Sequence, residues 1–206
     1  ILSDLEKGEQ LLNVETWDVG YTYRFNKLSV DAFRARVYLY MGDWQNAYNY
    51  AHSVIEKHGD LEDLTTSKTL PSHYKSVEAI LSMEDIMPAI YQTEGKISPT
   101  LLSLYRSGDL RKSKYYRQVT ASVSTLLKGG SNEYSCTFRS AEFYLTAAEA
   151  ALELNDLDNA KLYLISLMEK RYHTSTIKRY IDEVNNMSQE ELREKIYNER
   201  FCELAF

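Results

Sequence analysis

Paired acidic side chains at helical spacing are the first residues in this 206-residue chain whose types and positions could do chemistry. Glu142 with Glu149, and Glu199 with Glu203, each fall on one face of a helix, and two convergent carboxylates are what glycoside hydrolysis needs. Arginine sits beside both pairs: Arg139 lies three residues before Glu142, and Arg200 adjoins Glu199. A carboxylate next to a guanidinium is held ionised and makes a poor general acid. Arg139, Glu142, Glu149, Glu199, Arg200 and Glu203 therefore read as structural ion pairs tying helices together, with Arg139 and Arg200 the expected partners of Glu199 and Glu203. Asp109 and Arg111 read as a salt bridge fixing a turn, with ligand contact as the other role.

Other reactive groups carry less. His52, His58, His73 and His173 show no metal-ligand spacing, so neither a metal nor a cofactor is expected. Lys128-Gly129-Gly130-Ser131 is a turn, because a phosphate loop needs a longer glycine-rich run ending in Lys-Ser/Thr and opening a helix. Cys136 and Cys202 are too few for a disulfide framework and too far apart for a redox pair, and read as inert buried thiols. With 24 basic and 30 acidic residues the net charge is −6, which gives no electrostatic reason to expect nucleic acid or anionic lipid. Composition, motifs and charge together point away from an enzyme.

The 17 tyrosines are a high share for a chain of this length. Tyrosine offers a flat apolar face and a hydroxyl, which suits sugar or peptide contact and also any helical core. Tyr91, Tyr105, Tyr115 and Tyr116 lie among Pro, Ser, Gly and charged residues and are expected to be exposed, with Gln92, Arg106 and Asp109 supplying hydrogen bonds around them. Trp44, by contrast, is expected in the core.

The elements that must position these groups are mainly helical. Three prolines and eight glycines, with long runs of 3.6-residue periodicity, predict a mainly α fold. One helix runs from about Lys27 to Met41, and a second begins after Gly42-Asp43 with Trp44, Ala47, Ala51, Val54 and Ile55 on one stripe. A helix over about Phe138 to Leu154 meets Asn155-Asp156, and its partner carries Leu157, Ala160, Leu164, Leu167 and Met168. The two hairpins match at an offset of 113 residues: Ala35 with Ala148, Leu39 with Leu152, Gly42 with Asn155 and Asp43 with Asp156. Gly and Asn tolerate a left-handed helix end, and Asp then caps the next helix.

Such hairpins resemble tetratricopeptide units, which follow one another at about 34 residues in a solenoid. The wider spacing here implies that the hairpins pack around other structure. Ser76 to Met83 has the composition of a short strand or buried turn, and Gly59 to Thr137 forms a loop-rich region. The closing helix starts at Ser188 with a Ser188-x-x-Glu191 capping box, and its apolar face, set by Leu192 and Ile196, also carries Glu199 and Glu203. The chain is read as one helical domain, 1–206. It begins at Ile1 without a Met, signal segment or membrane span, and is expected to be a piece of a longer protein.

Three segments resemble the SusD/RagB family: Leu28 to Ile55, Arg139 to Leu154 and Ile196 to Phe206. They are similar to that family's Ala-Arg-x-Tyr-Leu-Tyr-x-Gly-Asp helix pair, its Arg-x-x-Glu-x-Tyr-Leu-x-x-Ala-Glu-Ala helix and its Glu-Arg-x-x-Glu-Leu closing motif. Val77-Glu78-Ala79-Ile80 resembles the family's short Glu-containing strand, and Asp109-Leu110-Arg111 its Asp-x-Arg turn. The chain departs from the family by stopping at Phe206, before a Glu-Gly-x-Arg continuation, by lacking the long N-terminal region that starts at a lipidated Cys, and by a shorter middle region. The resemblance implies a SusD-like α-α superhelix in a lipid-anchored, outer-membrane, cell-surface protein. It also implies that the protein captures a glycan or peptide nutrient without turnover and works with a SusC-like TonB-dependent transporter. A tetratricopeptide-type protein–protein scaffold is the alternative.

Overall fold

The computed structural model describes residues 1–83, 95–120, 123–128, 137–205, and the backbone of 84 and 134–136. Tyr91, Gln92, Gly129, Gly130, Ser131 and the side chain of Cys136 lie outside that description.

Local sequence chemistry accounts for most helix boundaries. After a short helix α1 (Leu2–Leu11), α2 (Lys27–Met41) opens on a capping box in which Asn26 accepts from the Ser29 amide and the Asn26 amide donates back to Ser29 Oγ. It closes on Gly42, whose φ of 72° is the left-handed conformation that glycine adopts without Cβ strain. The helix α3 (Trp44–His58) then starts at once, capped by Asp43. Residues 113 positions later repeat this joint. The helix α6 (Ser140–Glu153) ends at Asn155, φ 62°, and Asp156 caps α7 (Leu157–Glu169). Asp43 Oδ1 accepts from the Asn46 amide at 3.2 Å and Asp156 Oδ1 from the Asn159 amide at 3.1 Å, while each asparagine side chain donates to the other carboxylate oxygen. The two hairpins are therefore alike down to their hydrogen bonds.

The hairpins pack against the intervening chain, as their wide spacing implied, and they also meet each other directly. They pack on each other: α3 lies against α6 as closely as against its own partner α2, giving a stack in the order α2, α3, α6, α7. Ala47, Ala51, Ala147, Ala148, Ala150, Ala151 and Ala160 are fully buried in this stack, and such small side chains let helix axes approach closely. The intervening chain loops out and returns. Helices α8 (Thr174–Asn185) and α9 (Gln189–Leu204, with its Ser188–Glu191 capping box) follow, and α9 folds back against α6.

The inserted lobe contains β1 (Ala79–Glu84), α4 (Pro99–Leu104), α5 (Arg111–Tyr115), β2 (Tyr116–Thr120), β3 (Val123–Leu126) and β4 (Tyr134–Arg139). Among the described residues, two antiparallel pairs, β1 with β4 and β2 with β3, make up its sheet structure. The helix expected from Phe138 begins at Ser140 instead, because Phe138 and Arg139 are extended and pair with Leu81 and Ala79 across β1. Trp44 is partly buried, packed on a small cluster of Leu39, Ala47 and Ala150. Among the described residues, no helix is long and apolar enough to cross a membrane.

Candidate functional site

Where the lobe meets the helix stack, a buried ionic network forms. Glu203 lies at its centre and accepts from Arg139 at 2.5 Å, from Arg171 at 3.0 and 3.1 Å, from Arg111 at 3.2 Å and from the Tyr115 hydroxyl at 3.2 Å. Glu199, one helical turn earlier, accepts from Arg111 at 2.6 Å, from Lys195 at 2.6 Å and from Tyr172 at 3.0 Å. Glu78, just before β1, accepts from Arg171 at 2.7 Å, and Asp109 holds Arg111 in a two-pronged contact at 2.9 and 2.6 Å. Arg111 and Arg171 are fully buried.

Burial pushes the Glu199 carboxyl up, but the charges of Arg111 and Lys195 outweigh it and hold the group at about 2. Glu203 is likewise held well below the usual carboxylate range, burial being overcome by Arg171, Arg139 and Arg111. Four cations, Arg111, Arg139, Arg171 and Lys195, thus face four carboxylates, Asp109, Glu78, Glu199 and Glu203. Lys128 is a further cation beside them. Its Nζ donates to the Glu203 and Ala205 carbonyls at 2.6 and 3.0 Å, closing the C-terminal end of α9, and burial pushes its pKa well below the ordinary lysine value.

Several expected partnerships are redistributed. Glu199 and Glu203 are buried among arginines, with Arg139 on Glu203 as expected, but Arg200 turns to Glu149 at 3.4 Å. Glu142 pairs with Arg36 at 2.7 and 2.6 Å and not with Arg139, which ends β4 and is taken up by Glu203 and Glu78. At Glu149 burial outweighs the charge of Arg200 and pushes the carboxyl up from its ordinary value. Arg36, Arg171 and Lys128 were missed. Nothing in their local sequence marks them, since their partners lie 32 or more positions away.

Tyr105, Tyr115 and Tyr116 are not exposed. They are 6%, 0% and 4% accessible and form a second apolar cluster with Leu64, Ile97, Leu101, Leu126 and Cys202. Short α4 and α5 fold these rings back onto α9, where Tyr105 donates to the Cys202 carbonyl at 2.7 Å and its oxygen meets the Tyr116 hydroxyl at 2.8 Å. The Cys202 thiol is buried with them and is pushed up to about 12 by that burial, as an inert thiol should be.

Outside this cluster, a cleft of about 750 Å³ opens on the lobe. Tyr105, Tyr116, Arg106 and Asp109 line it together with Leu102, Ser107, Gly108, Lys112, Ser113, Arg117, Gln118, Ser124 and Leu127. Tyr115 does not reach it. The turn at Ser107-Gly108 sets one wall: Gly108 has φ 84°, and a Cβ there would lie 2.1 Å from Thr176 Oγ1 on α8. Arg106 is stacked 4.2 Å from the Tyr180 ring centre and paired to Glu183, so α8 supports this wall.

The fold and cleft thus define a helix-hairpin protein carrying an inserted lobe with a cleft on it. The SusD family model matches residues 35–206, and the chain belongs to that family. Solved structures agree in fold. A SusD superfamily protein from Bacteroides fragilis superposes with a TM-score of 0.79 at 23% identity, over 98% of this chain and 50% of that one. One from Bacteroides thetaiotaomicron gives 0.78 at 23% identity, over 98% and 51%. A SusD-like carbohydrate binding protein from Bacteroides vulgatus gives 0.73 at 23% identity, over 99% and 48%. The chain spans about half the length of these structures. No curated protein sequence matches it.

Proposed function

We propose that this chain is part of a cell-surface nutrient-capture protein that holds an oligosaccharide reversibly in the cleft on the inserted lobe, without turning it over. The observation that carries this reading is the cleft itself, which gathers Tyr105, Arg106 and Tyr116 with Gln118 on one surface. Tyrosine edges beside guanidinium, amide and hydroxyl groups are the chemistry that sugar rims hydrogen-bond. Membership of the SusD family supports the same reading, as does the likeness in fold to the carbohydrate binding protein from Bacteroides vulgatus. The paired carboxylates point away from hydrolysis, because Glu199 and Glu203 are enclosed by arginines and reach no open surface.

In this reading the intact protein is lipid-anchored at the outer membrane and hands its ligand to a SusC-like TonB-dependent transporter. Stacking and rim hydrogen bonds, offset by the ordering of a flexible glycan, leave a modest affinity of about 4 to 8 kcal/mol, in the micromolar to millimolar range. Calorimetry against a panel of oligosaccharides tests this, with Arg106→Ala and Gln118→Ala weakening whatever binds. Release of shortened sugars would overturn the non-catalytic reading. Capture of a protein or peptide partner, with no glycan bound, would favour the scaffold alternative, to which the direct stacking of the hairpins gives some support.

A further inference from the structure

We infer that the cleft selects acidic oligosaccharides, chains bearing carboxylate or sulfate groups, through Lys112 and Arg117; this rests on the glycan reading above. The chain as a whole carries a net charge of −6, and the cleft runs against that balance. Among the described residues lining this cleft, Arg106, Lys112 and Arg117 are cationic and Asp109 is the one acid. Asp109 offers nothing to solvent: its side chain is fully buried, and both its oxygens are held by Arg111 at 2.9 and 2.6 Å. Arg106 is balanced by Glu183 on α8.

Lys112 and Arg117 are different. Both are exposed, and no ion pair or hydrogen bond holds either side chain among the described residues. They are nevertheless well placed, since Lys112 follows the fully buried Arg111 on α5 and Arg117 follows the buried Tyr116 at the start of β2. Two exposed cations without a partner among the described residues thus line one concave surface. Facing charges of one sign in a cleft with low-dielectric walls focus their field outward and draw an anion in. The hydroxyls of Ser107, Ser113 and Ser124 and the amide of Gln118 supply neutral donors for the rest of a sugar.

The test uses matched ligands that differ only in charge: an oligogalacturonate against its methyl ester, and a sulfated oligosaccharide against the same backbone desulfated. Calorimetry on the chain is expected to give about tenfold tighter binding of the charged member of at least one pair, a gap of about 1.4 kcal/mol. The gap should narrow as salt is raised, because exposed charges are screened. In the Lys112→Gln/Arg117→Gln variant the two members should bind alike, and Lys112→Arg should keep the preference. Equal binding of charged and neutral members by the unsubstituted chain overturns the charge inference and leaves the glycan reading standing. A preference that survives the double substitution overturns the assignment to this cleft. Binding of neither member overturns both readings.

Discussion

Glu203 receives three guanidinium groups in a site closed to water, and that is where single-residue changes should cost most. Removing one partner of a buried pair leaves an uncompensated charge and typically costs about 3 to 5 kcal/mol. We expect Glu203→Gln to lower stability by about that much in urea denaturation, and Arg106→Gln, which breaks an exposed pair, to cost under about 1 kcal/mol. The same groups set an acid limit. Glu199 and Glu203 have lower pKa values folded than the ordinary 4.5, so the unfolded chain binds more protons as pH falls, and their stabilisation, complete above that value, is lost toward pH 2. Urea midpoints measured from pH 5 downward should fall, less steeply in Glu203→Gln. Lys128 adds a slope of the same sign at the alkaline end: its folded pKa lies below 10.5, so the penalty of burying its charge is relieved as pH rises toward that value, and Lys128→Met should flatten the climb. The inward face of Glu199 and Glu203 was legible from helical projection alone. Their partners were not. Adjacent positions on a helix lie about 100° apart, so Arg200, next to Glu199, points elsewhere, to Glu149.

At the scale of elements, the repeated joint was readable because capping chemistry is local: Gly42 or Asn155 ends one helix and Asp43 or Asp156 starts the next. Asp43→Ala and Asp156→Ala should each cost about 1 kcal/mol, and by similar amounts, since the two caps share one geometry. Thermal melts of the two variants check this, and a clear inequality would mean that the repeat is one of shape only. The direct stacking of the hairpins was not readable. Sequence spacing records how much chain intervenes, not where it goes, and here the inserted lobe leaves and re-enters beside the same helices. Gly108 joins the lobe to α8 in a way that excludes any side chain, because its φ is positive and Thr176 occupies the Cβ position. Gly108→Ala should displace that wall of the cleft, lowering both the melting temperature and ligand affinity.

In the whole molecule, the mainly α class and the order of the long helices followed from periodicity, whereas the burial of Tyr105, Tyr115 and Tyr116 did not. Polar neighbours in sequence suggested exposure, yet those neighbours turn outward while the rings close over Cys202 on α9. That closure is measurable. With Cys136→Ser removing the other thiol, Cys202 should resist alkylation in the native protein and react when the lobe lifts from α9, so Glu203→Gln should speed labelling. Equal rates in the two proteins would separate the network from the closure of the lobe.

The position of α9 has a consequence for biosynthesis. Both hairpins precede it and can assemble as the nascent chain emerges, because their stripes and caps are complete by Glu169. The lobe cannot finish in that order. Until the 16 residues of α9 have left the ribosome, Arg111 and Arg171 lack Glu203, and Tyr105 lacks the Cys202 carbonyl. A translation product truncated before Gln189 should therefore keep its helices but leave the inserted lobe open, with its tyrosines available to proteases and chaperones.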